Sequence, residues 1–140
     1  MRSPRLIDGL ARAEKSVRRE IRSQSTREIS ASGYGVLFYL RDHPGASAGD
    51  VTAALGASPA GMSGLLSRLV GAGLITKTPA EHDRRATVLT LTSKGERECA
   101  LGLGVVGDLN DWLGAGFTGA ELATVDRWLA HVAAGRPRVG

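Results

Sequence analysis

Between Leu74 and Thr92 the apolar pattern of this 140-residue chain changes period. The segments on either side repeat every three to four residues. Here Leu74-Ile75-Thr76-Lys77-Thr78 and Thr87-Val88-Leu89-Thr90-Leu91-Thr92 are rich in β-branched residues, and the second ends in alternating Leu and Thr. Both are predicted strands. The polar run between them, Pro79 to Ala86, makes a hairpin loop longer than a tight turn.

The hairpin follows two short predicted helices. Ser47-Ala48-Gly49-Asp50 has the spacing of a capping box, with Asp for the usual Glu, and opens a helix from Ala48 to Leu55 that Gly56 ends. Ser58-Pro59 opens the next, with Ser at the cap and Pro in the first turn. Met62, Leu65, Leu66 and Leu69 form its buried stripe, and Gly71 and Gly73 offer its stop. Two short helices joined at Gly56-Ala57 form a helix-turn-helix signature, and a hairpin directly behind one is a wing.

Helices are also predicted outside this lobe. From Pro4 to about Ile29, Leu6, Leu10, Ala13, Val17 and Ile21 step by four, three, four and four. The other face, Arg12 to Arg22, is charged, which suits a solvated face or an anionic partner. Ser32 can cap a helix to Asp42 holding Val36, Leu37, Phe38 and Leu40, broken by Pro44-Gly45. Ser93 begins a long helix to Gly114, apolar on more than one side. Its Gly102, Gly104 and Gly107 mark either close helix approach or a bend. Thr118 and Glu121 form a second capping box before Leu122, Val125, Leu129 and Val132. The fold class is therefore mainly α with a small β-hairpin wing (α+β). The expected divisions are an N-terminal dimerisation helix, 1–31, a winged helix-turn-helix lobe, 32–92, and C-terminal dimerisation helices, 93–140. The amphipathic ends need a partner surface, and a two-fold homodimer supplies one economically.

Composition narrows the classes. At 42% hydrophobic and 23% charged, the chain is ordinary globular material. Its apolar stretches fall short of a bilayer span, and the charged N-terminus is unlike a secretory signal, so a cytoplasmic location with no membrane partner is expected. The net charge is +4, but residues 96–140 carry four basic against six acidic side chains, so the excess lies in the first two thirds and suits a polyanion. The single cysteine, Cys99, reads as a small buried apolar residue rather than a redox switch. His43, His82 and His131 are scattered without metal-ligand spacing, so no metal, no cofactor and no enzyme activity are expected.

Asp83-Arg84-Arg85-Ala86-Thr87-Val88-Leu89-Thr90-Leu91-Thr92-Ser93-Lys94-Gly95 resembles the wing signature of the MarR family, the multiple-antibiotic-resistance type regulators. Its elements are an acid, any residue, an arginine, an alternating strand ending in Leu-Thr, and a Gly three residues on. Leu69 through Lys77 resembles that family's junction from recognition helix to strand. The resemblance implies a sequence-specific double-stranded DNA-binding transcription regulator, usually a repressor. It would act as a homodimer on a pseudo-palindromic operator, with half-sites roughly 10 bp apart. It also implies release by a small lipophilic or phenolic effector, for which Tyr34, Phe38, Tyr39 and Trp112 are candidates; plain core packing also accounts for them. By the same resemblance the Ser58–Ala72 helix enters the major groove, and Arg85, held by Asp83, reaches the minor groove. The physics agrees: a narrow minor groove attracts arginine, and an Asp two residues away can fix its guanidinium.

The predicted recognition helix is bare of long base-reading side chains. It presents Ala60, Gly61, Ser63, Gly64 and Ser67, with Arg68 further on to clamp a phosphate or pair with Asp83. Modest base readout is expected, with more from wing, phosphates and DNA shape. Ser47, Ser58 and Lys77 are phosphate candidates, the serines through helix N-termini, and Arg84 completes the basic set. The alternative is a winged helix that mediates only protein contacts and dimerisation.

Overall fold

The computed structural model describes residues 5–25, 29–83 and 85–137. Elements run α1 (Leu6–Gln24), α2 (Ala31–Asp42), α3 (Ala48–Leu55), α4 (Pro59–Gly71), β1 (Ile75–Pro79), β2 (Thr87–Leu91), α5 (Ser93–Gly114) and α6 (Gly119–Ala133). The chain divides into two compact units, Met1–Val105 and Val106–Gly140.

Local chemistry sets most helix starts. Both predicted capping boxes form: Ser47 Oγ accepts from Asp50 N–H at 3.0 Å while Asp50 accepts from Ser47 N–H, and Thr118 and Glu121 repeat the exchange. Ser58 Oγ accepts from Gly61 N–H, and Gly56, with φ 61°, ends α3. Two expectations change. Ser30, not Ser32, caps α2, accepting from Gly33 N–H at 3.1 Å. Buried Gly33 lies against Ile29 and Leu69, so the helix starts early enough to bury it. α1 ends at Gln24 rather than near Ile29, and Ile29 instead joins the core; Pro4 lies outside the described residues.

In the first unit Ile29, Val36, Leu37, Leu40, Val51, Met62, Leu66, Leu69, Leu74, Ile75, Leu89 and Cys99 bury their side chains together. β1 and β2 pair antiparallel with Ile75 opposite Leu91 and Lys77 opposite Leu89. A nonlocal bridge joins Ser47 to Val88, and Leu89 N–H donates to Ala46 O at 2.9 Å. The wing is thereby stapled to the start of α3, a pairing with no local sequence signal.

The end of the wing is a clamp. Thr92 N–H donates to Leu74 O, Thr92 Oγ1 donates to Gly73 O at 2.6 Å and accepts from Gly95 N–H, and Lys94 Nζ donates to Ala72 O. A Cβ on Gly95 would stand 2.0 Å from Leu74 O. Thus the Leu-Thr-x-x-Gly end of the signature locks α5 onto the α4–β1 turn. At Gly102 α5 meets α2, where a Cβ would lie 2.7 Å from the Tyr34 ring, whereas one on Gly104 or Gly107 meets nothing within 4 Å. Close approach is therefore the role of Gly102, and it does not extend to the other two.

In the second unit Gly116, with φ 84°, turns the chain between α5 and α6. No residue of α6 is buried, nor is any of α1 in the first unit. Leu122, Val125, Leu129 and Val132 all stand at least 36% exposed.

Candidate nucleic-acid interface

The buried stripe of α4, Met62, Leu65, Leu66 and Leu69, turns its other face outward. Ala60, Gly61, Ser63, Gly64, Ser67 and Arg68 are all exposed there. The long charged member, Arg68, forms no ion pair among the described residues, so it does not pair with Asp83. It borders a groove of about 430 Å³ shared with Ser30, Ser32, Leu55 and Ser58. On the other flank Lys77 of β1 and Ser63 of α4 border a second groove with Gly49 and Thr52 of α3. Basic side chains therefore stand on both sides of a small, uncharged helix face.

The two helix starts differ in charge. At α3 the Asp50 carboxylate accepts the Ser47 N–H, and this bond, with the Ser47 hydroxyl beside it, holds the Asp50 pKa below the ordinary carboxylate range. The α3 N-terminus thus already carries an anion, and Ser47 Oγ is engaged in the cap. The first turn of α4 contains no acid. Its partial positive charge stays uncompensated, which favours a phosphate at Ser58 over one at Ser47.

The wing loop is narrower than its sequence suggests. Ala80 N–H donates to Ala86 O, extending the ladder beyond Pro79–Thr87. Within the loop the Asp83 carboxylate accepts the backbone N–H of Arg85 at 2.9 Å. The expected contact was with the Arg85 guanidinium, and no Asp83–Arg85 ion pair occurs among the described residues. An acid two positions back reaches the main chain most directly, closing an Asx turn. Asp83 so fixes the loop while leaving the Arg85 side chain exposed. Arg84 lies outside the described residues.

The aromatic candidates divide. Tyr34 and Phe38 have ring centroids 6.0 Å apart and both press on Gly102, while Tyr39 stacks on His43 at 4.2 Å. Burial and the nearby Glu98 push the Tyr34 phenol pKa up. Trp112 belongs to the second unit and is half-exposed. Burial also raises the Cys99 thiol pKa, consistent with an inert core residue. Among the described residues no group of three or more His, Cys, Asp or Glu side chains could hold a metal ion, and no helix is long and apolar enough to cross a membrane.

A helix pair with an exposed second helix, followed by a clamped hairpin, defines a winged helix-turn-helix. Residues 29–86 match the MarR family. Over that span the chain is similar to a MarR-family winged helix. It is 34% identical over 70 residues to the uncharacterized HTH-type transcriptional regulator YfiV of Bacillus subtilis, a match spanning 50% of this chain and 44% of that protein. The PcaV transcriptional regulator of Streptomyces coelicolor, solved with its natural ligand, superposes with a TM-score of 0.80 at 25% identity, covering 96% of this chain and 99% of that one. Wild-type MarR of E. coli gives 0.75 at 25% identity over 94% and 98%. BpsR of Bordetella bronchiseptica, whose DNA binding is regulated by 6-hydroxynicotinic acid, gives 0.79 at 22% identity over 93% and 99%, a likeness of fold.

Proposed function

We propose that the chain is a homodimeric regulator of transcription rather than an enzyme, binding a pseudo-palindromic double-stranded operator and acting as a repressor. The observation that carries this reading is the wing, where Asp83 bonds the Arg85 main chain and leaves the Arg85 side chain exposed and without an ion pair among the described residues, on a clamped hairpin. Arg85 enters the minor groove, drawn by its negative potential. α4 lies in the adjacent major groove and reads bases with Ser63 and Ser67, with Ala60 placed to touch a thymine methyl. Arg68 and Lys77 hold phosphates on either flank, Ser58 and the acid-free start of α4 hold another, and Arg84 adds positive charge beside Arg85.

Homodimer formation through the terminal helices is supported by their unburied apolar residues. Ile7 is 84% exposed on α1, and Leu122, Val125, Leu129 and Val132 line α6. Divisions at 1–31, 32–92 and 93–140 follow from that reading. Control by a small lipophilic or phenolic effector is proposed by analogy with PcaV and BpsR, with Tyr34, Phe38, Tyr39 and Trp112 as candidate contacts.

The test is fluorescence anisotropy on DNA from the chain's own promoter, over a range of salt. Arg85→Ala should weaken binding about tenfold or more and leave the dimer intact in light scattering. Equal affinity for the variant and wild type would remove the wing from the reading. No shift of any DNA at low salt would favour the protein-contact alternative.

A further inference from the structure

α5 is pinned to the rest of its unit at Gly95 and Gly102, two turns apart on one face, both positions where a Cβ would collide. Between them Cys99 sits in the core with its Sγ 3.8 Å from Leu37 O. The neighbouring stripe, Glu96, Ala100 and Leu103, is thereby held at fixed distance from the end of α2 and from β2. The space enclosed is a groove of about 470 Å³ with Cys99 at its base. Leu40 and Pro44 form one wall and Leu89 and Leu91 of the wing strand another. A groove of this size suits a small organic molecule.

The rim charges decide what kind. Two charged side chains border the groove, Arg41 and Glu96. Arg41 is neutralised by its neighbour, with Nη2 2.9 Å from Asp42 Oδ1 and Nε donating to the same oxygen at 3.0 Å. Glu96 has no ion pair among the described residues. An apolar trough with one uncompensated carboxylate at its edge complements a lipophilic body bearing one positive charge. We infer that the groove between α2, β2 and α5 binds a small lipophilic amine, with its apolar part against Pro44, Leu91 and Leu103 and its ammonium at Glu96. This site is separate from the Tyr34–Phe38 cluster, and one of its walls is the strand leading out of the wing.

Calorimetric titration of the full chain without DNA tests this, using 4-phenylbutylamine and, as its charge mirror, 4-phenylbutyrate. The amine should bind, the carboxylate about tenfold more weakly. Glu96→Gln should weaken the amine about three- to tenfold and narrow the gap between the two probes. Ala100→Phe, at an exposed position, should fill the trough and abolish binding while the circular dichroism spectrum stays that of wild type. Absence of amine binding at millimolar concentration, equal binding of the two probes, or unchanged affinity in folded Ala100→Phe would each overturn the inference.

Discussion

Gly64→Ala should make the protein more stable and a worse DNA binder. Gly64 lies mid-helix in α4, exposed, and a Cβ there meets nothing within 4 Å. The fold gives no steric reason for glycine. Glycine in an exposed helix interior costs about 1 kcal/mol relative to alanine, so the variant should melt about 3 °C higher. Against DNA the sign reverses. If the small face of α4 is seated closely in the major groove, an added methyl overpacks it, at about 1–3 kcal/mol for each recognition helix. That corresponds to a loss of affinity of about five- to 150-fold per half-site, compounded over the two half-sites of the operator. Differential scanning calorimetry and operator anisotropy on one preparation read both effects. A raised melting temperature with unchanged operator affinity would refute close seating of α4 at this position. A lowered one would refute the account of the helix itself. Gly61→Ala is the control for steric context, since its Cβ would lie 2.9 Å from the Ser58 Oγ that caps α4, and it should gain less.

Gly95→Ala should be strongly destabilising. Its Cβ would meet the Leu74 carbonyl oxygen, a main-chain atom that cannot rotate away. The cost is about 3 kcal/mol, a fall of about 10 °C in the calorimeter; a melting temperature near that of wild type would mean that α5 is not clamped there. Asp50 gives a pH dependence. Its folded pKa is lowered by the Ser47 bonds, so the stabilisation is fully present at neutral pH and is lost as pH falls through the lowered value. Urea midpoints from neutral pH down to about pH 3 should fall more steeply for wild type than for Asp50→Asn, and parallel curves would show that the capping box contributes no such dependence.

The parts legible in the sequence were those fixed by neighbours in the chain. The Ser47–Asp50 and Thr118–Glu121 boxes, the Ser58-Pro59 start and the Gly56 stop each follow from residues within three positions of one another. The hairpin was legible because two segments rich in β-branched residues flank one polar loop. What was not legible depends on distant partners. Ser30 and Ser32 are equivalent as local caps, and packing of Gly33 on Ile29 and Leu69 decides between them. The bridge from Ser47 to Val88 joins residues forty-one positions apart. Gly102 and Gly104 look alike in sequence, and only the Tyr34 ring distinguishes them. At the candidate site, residue identities pointed to a nucleic-acid surface, but the Asp83 contact with main chain rather than guanidinium needed the loop geometry.

That contact bears on how affinity is divided. An arginine tied to a carboxylate must release it before meeting a phosphate or a groove, and the released acid would then repel the DNA. With Asp83 engaged by the main chain, the guanidinium remains available. The backing is equally fixed: Ser47–Val88 holds the hairpin to α3, and Thr92, Lys94 and Gly95 hold its end to the turn after α4. Preorganisation of this kind lowers the ordering cost of binding. It matters more in this chain because α4 offers Ser63 and Ser67 where long, bidentate side chains would read bases strongly. In the proposed regulator the wing is therefore the principal source of affinity, and α4 contributes by how closely its backbone can approach.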